Sequence, residues 1–85
     1  MTPELENYFN NFFDLFRNEG WKQLVEELKT NAIHLNDLQS VKDVDEMNNR
    51  KGQLIVLANL INLENTVNAS HENALEEDNA NSEND

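Results

Sequence analysis

Apolar residues recur three and four positions apart from residue 5 to residue 67, and that spacing commits the chain to amphipathic helices. Leu5, Phe9, Phe12 and Phe16 follow intervals of four, three and four, while Tyr8, Phe13 and Leu15 widen the stripe past half of the helix surface. Trp21, Leu24, Leu28, Leu35 and Leu38 hold heptad a and d spacing, flanked by Val25 and Ala32, with Asn31 interrupting one d position. Val44, Met47, Leu54, Leu57, Ala58 and Ile61 share a third face, which Ile55, Leu60, Leu63 and Val67 broaden.

Local signals place the ends of these helices. Thr2 is an N-cap residue and Pro3 suits the first helical position, where its missing N–H costs nothing. Gly20 is expected to stop the first helix by taking the left-handed conformation. The second helix is expected from about Trp21 to Gln39, and the strings Ser40–Asp43 and Asp43–Glu46 both resemble helix-start boxes. A third helix from about Val44 to Asn68 follows, near 37 Å long against near 29 Å for the second. A short turn between two long amphipathic helices makes them antiparallel neighbours. The expected fold class is all-α: an antiparallel helical hairpin plus an N-terminal aromatic-rich helix.

Composition changes near residue 71. Segment 71–85 has six acids, no Lys or Arg and one large apolar residue, Leu75. Such a segment buries too little apolar surface to offset roughly 1–2 kcal/mol per residue of backbone ordering entropy. The expected organisation is therefore a three-helix unit over 1–70 and a disordered acidic C-terminal tail over 71–85. About 70 ordered residues bury only around 60% of their unfolded surface, so a partner or a second copy is expected to complete the core.

Charge narrows the function classes. With 17 Asp and Glu against 6 Lys and Arg, the formal charge is −11, which opposes direct binding to nucleic-acid phosphates or anionic lipid. The most apolar run, Leu54 to Leu63, is about half the length of a membrane-spanning helix and contains Asn59 and Asn62. No basic region followed by an apolar stretch opens the chain, so secretion is not expected, and the sequon Asn68-Ala69-Ser70 has no meaning without export. The absence of Cys removes thiolate chemistry and Cys-based metal sites.

Candidate chemistry is sparse. His34 and Asp37 are two metal ligands at most, and His71 opens the tail, where it is expected to be solvated. The acid pairs Glu26-Glu27, Asp45-Glu46 and Glu76-Glu77 point about 100° apart on a helix and cannot flank one bond. Ser40, Ser70 and Ser82 have no neighbouring base, and Gly20 and Gly52 make no phosphate cradle. The chain is not expected to be an enzyme, and no cofactor is implied. Arg50 and Lys51 read as ion-pair partners of Glu26, Glu27 or Asp45, and Gly52 as a place where another helix or Trp21 approaches closely. The aromatic face of the first helix is open to two readings, an internal core or a docking surface; on the second, Phe9, Phe12, Phe13, Phe16 and Trp21 bind a partner.

The strings Gly20-Trp21-Lys22-Gln23-Leu24, Glu26-Glu27-Leu28, Arg50-Lys51-Gly52-Gln53-Leu54 and Leu57 to Leu63-Glu64 resemble small helical-hairpin proteins of tailed bacteriophages, over residues 5–68 at most. That resemblance carries no catalytic residues and does not include the acidic tail. It implies a non-enzymatic phage protein, a virion component or assembly factor, that docks on a phage structural protein or a host protein, with homo-oligomerisation open. Host cytoplasm or virion is the expected location. The alternative is an acidic phage inhibitor that occupies the basic groove of a host nucleic-acid-binding protein by DNA mimicry.

Overall fold

The computed structural model describes residues 1–83, and its regular elements there are all helical: α1 (Pro3–Arg17), α2 (Glu19–Leu35), a 3₁₀ turn (Leu38–Ser40), α3 (Val44–Ile61) and α4 (Leu63–Glu83). Thr2 caps α1, its Oγ1 accepting the Leu5 N–H at 3.2 Å, and Pro3 opens the first turn. Glu4 and Glu6 in that turn, and Arg17 in the last, match the sign of the helix dipole at each end.

Gly20 does not stop α1. The chain leaves through Asn18, in extended backbone with φ −75° and ψ 131°, whose N–H still bonds the Leu15 carbonyl at 3.0 Å. Gly20 already lies in α2, and no glycine takes a positive φ. Asn leaves a helix readily because its side chain competes for backbone hydrogen bonds, so one extended residue does what a left-handed glycine was expected to do.

The second helix also ends early, at Leu35 instead of Gln39. Asp37 Oδ1 accepts the Gln39 N–H at 3.1 Å and the Asp37 carbonyl accepts the Ser40 hydroxyl at 3.0 Å, a turn that outcompetes the helical ladder. Asp43 then starts α3 as expected, Oδ1 accepting the Glu46 N–H at 2.8 Å.

The expected single helix over 44–68 is two. Asn62, with φ −92° and ψ 5°, separates α3 from α4 while its N–H still bonds the Ala58 carbonyl at 3.0 Å. Asn visits this bridge region more easily than the Leu and Ile around it. Helix α4 then runs past the expected boundary at residue 70, so 71–83 belong to it; 84–85 lie outside the described residues. Ala74, Leu75, Glu76 and Glu77 are strong helix formers, and their propensity adds to packing by His71.

Packing divides the chain into two compact units, one combining α1 with α4 and the other α2 with α3. In the first, Phe9, Phe16 and Val67 are buried, each removing about 1.5–3 kcal/mol of apolar exposure. Over residues 63–80 of α4 the covered positions are Leu63, Val67, His71, Ala74 and Asp78, a helical stripe that continues across residue 70. The Met1 amino group pairs with Asp78 Oδ2 at 2.5 Å in this unit.

In the second unit neither helix buries any side chain fully. The half-buried positions are Trp21, Val25, Leu28, Ala32 and Leu35 on α2 and Glu46, Met47, Arg50, Leu54, Leu57 and Ile61 on α3. Apart from Glu46, both sets keep alternating intervals of three and four, but the α2 register differs from the expected one, because Val25 is covered and Leu24 is exposed.

Candidate docking faces

On α1 the aromatic rings form a continuous chain of contacts. Tyr8 meets Phe12 edge-on at 5.1 Å, Phe12 lies 6.0 Å from Phe16, and Phe9 stacks on Phe13 at 6.3 Å. His71 of α4 stands against both Phe9 and Phe13, 5.0 Å from each and edge-to-face with both. His71 is thus half-buried at a helix interface, where solvation was expected.

The structure therefore brings Phe9, Phe12, Phe13 and Phe16 together and sets Trp21 in the other unit. Phe9 and Phe16 face inward, Phe12 and Phe13 are half-buried, and Tyr8 is the outward ring, 52% exposed. A signal for the His71 contact was present in the sequence: residues 63, 67, 71 and 74 keep helical spacing through the change in composition.

The α2–α3 unit carries a groove of about 730 Å³. Leu35, Val56 and Leu57 give it apolar walls, Asn31, Asn48, Asn49 and Gln53 supply amides, His34 adds an imidazole, and no Asp, Glu, Lys or Arg lines it. Gly52 also lines the groove, and a Cβ placed there would have nothing within 4 Å. Neither Trp21 nor any side chain of α2 fills that space, where close approach is the expectation. A glycine inside a helix costs about 1 kcal/mol relative to alanine, and here no turn, positive φ or internal contact requires it.

One end of this unit is held by Arg50. Its guanidinium donates to the Asp37 carbonyl at 3.0 Å, the Ser40 hydroxyl at 2.8 Å and Glu46 Oε1 at 2.8 Å. The partner of Arg50 is Glu46, one turn away, and not Glu26, Glu27 or Asp45. Glu46 Oε2 also accepts the Lys42 N–H at 3.0 Å, and this bond, with the Arg50 contact, holds the Glu46 carboxyl below its ordinary value of 4.5. These groups hold the turn between α2 and α3.

Among the described residues no group of three His, Asp or Glu side chains is placed to hold a metal ion, and no helix is long and apolar enough to cross a membrane. No protein-family model matches the chain, and no curated protein or solved structure does either. The resemblance to phage helical-hairpin proteins rests on the short strings quoted above.

Proposed function

We propose that this chain is a non-enzymatic protein–protein interaction module that docks through apolar helix faces. One observation carries the reading: among the described residues Phe9, Phe16 and Val67 form the whole buried apolar core, while ten large apolar side chains, Ile33, Ile55 and Val56 among them, are exposed. Scattered exposed apolar residues are ordinary, but a helix pair with no buried side chain has most of its apolar surface still to cover. The α2–α3 pair reads as an antiparallel hairpin, which presents such a face. Assignment to a phage virion component or assembly factor rests on the sequence resemblance alone.

A second reading, charge mimicry of DNA against a basic host protein, gains support from α4. Glu72, Glu76, Glu77 and Asp78 lie on an ordered helix, where a floppy tail would hold no fixed spacing of charge. Affinity capture with the full chain, followed by salt titration, separates the two. Apolar docking survives about 0.5 M salt and is lost in a variant carrying Ile33→Ser and Ile55→Ser, whereas mimicry fails in salt and is lost on neutralising the four α4 acids. Capture insensitive to the serine substitutions overturns the first reading.

A further inference from the structure

We infer that the groove on the α2–α3 unit receives a second copy of this chain, α3 packing antiparallel on α3 about a two-fold axis, with Val56 of each copy seated over Gly52 of the other. The inference deepens the interaction-module reading and rests on it.

Three observations fit a second copy. Gly52 leaves open space in the groove, and Val56, one turn along the same helix and 58% exposed, is an uncovered projection. A two-fold interface needs each surface to contain both halves of every contact, and a hollow and a projection four residues apart on one helix meet that need. The same axis, passing beside position 54, sets Asn49 opposite Asn59. Asn49 Oδ1 accepts from Gln53 Nε2 at 2.7 Å, which leaves its amide hydrogens to donate across the interface.

Charge selects this face over the rest of the molecule. Segments 1–18 and 63–85 hold ten acids against one base, a net −9, while segment 19–62 holds seven against five, a net −2. Two copies of a chain at −11 repel least through that nearly neutral unit, and the groove lining has no Asp, Glu, Lys or Arg to desolvate, His34 being its one titratable side chain. The occupant that matches a groove of apolar walls, amides and one imidazole, without Asp, Glu, Lys or Arg, is a helical stripe free of acids and bases, and Asn49, Gly52, Val56 and Asn59 make one on α3 itself. A basic partner would be drawn instead to the acidic segments.

Sedimentation equilibrium of the full chain from about 1 to 200 µM, with circular dichroism on every variant, tests this. The wild type is expected at twice the 9.8 kDa chain mass at the upper end. Gly52→Leu fills the hollow and is expected to weaken association by about tenfold or more while keeping or raising helix content. Val56→Gly removes the projection and weakens it as well. The double variant Gly52→Val with Val56→Gly exchanges the two positions under the axis and is expected to recover association to within a few-fold of wild type. A wild type that stays monomeric overturns the inference, as does a dimer that Gly52→Leu leaves unchanged. So does a monomer that loses a foreign protein in Gly52→Leu, because the groove then belongs to that protein. A monomer that still captures a protein through Ile33 and Ile55 sinks only the self-association; a dimer with no capture sinks only the wider reading.

Discussion

The Arg50 guanidinium reaches back ten residues to the Ser40 hydroxyl, 2.8 Å away, and so fastens the turn after α2 onto the first half of α3. Arg50 stands in a position of the α3 stripe otherwise filled by Met47, Leu54, Leu57 and Ile61, with its side chain only 18% exposed. A planar fork with several donors can serve the Asp37 carbonyl, Ser40 and Glu46 together, and a lysine cannot. Arg50→Ala is expected to destabilise the protein by about 1–2 kcal/mol in urea unfolding, and Arg50→Lys to recover less than half of that loss.

Glu46 gives stability a definite acid limb. Its carboxyl ionises below 4.5 when folded because the Lys42 N–H and Arg50 favour the charged form. A lowered folded value means that its contribution is fully present above about 4.5 and is lost as pH falls through the lower folded value. Melting temperature measured between pH 6 and pH 3 should fall less steeply in Glu46→Gln than in wild type, from a lower starting point. Equal slopes would remove Glu46 from the acid response.

Phe9 and His71 hold α1 to α4. Phe9→Ala opens a cavity in a core of very few buried side chains and is expected to cost about 3 kcal/mol, with loss of α4 helix signal. His71→Ala removes two edge-to-face contacts and should cost about 1 kcal/mol. If amide exchange in 71–80 is unchanged by both substitutions, α4 does not depend on α1.

Gly52→Ala should raise stability by about 1 kcal/mol at the lowest workable protein concentration, since the added methyl meets open space and alanine suits a helix interior. Asp43→Ala should lower it by about 1 kcal/mol by leaving the Glu46 N–H without its acceptor. Chemical denaturation of the two variants checks both signs.

What was legible in the sequence was local or periodic. Thr2 with Pro3, and Asp43 with Glu46, announce helix starts because each cap is made within three or four residues. All-helical architecture followed from the spacing of the apolar residues. The breaks at Asn18 and Asn62 were hidden because a single Asn is compatible with both helix and bend, and sixteen of them occur in the chain. Gly20 looked like the better stop by residue type, yet one residue of extended backbone before it had already turned the chain. The acidic composition around His71 masks its periodicity: an acidic surface and a covered stripe coexist on one helix. The open groove at Gly52 has no sequence signature, since it is defined by what fails to pack there.

Segment 19–62 is enclosed in the chain by the two helices of the other unit, which meet only across that intervening stretch. Joining α1 to α4 without it would mean closing a loop of 44 residues at full entropic cost, so early collapse of the enclosed pair shortens the search for the outer one. Assembly is then expected to proceed from the middle of the polypeptide outward.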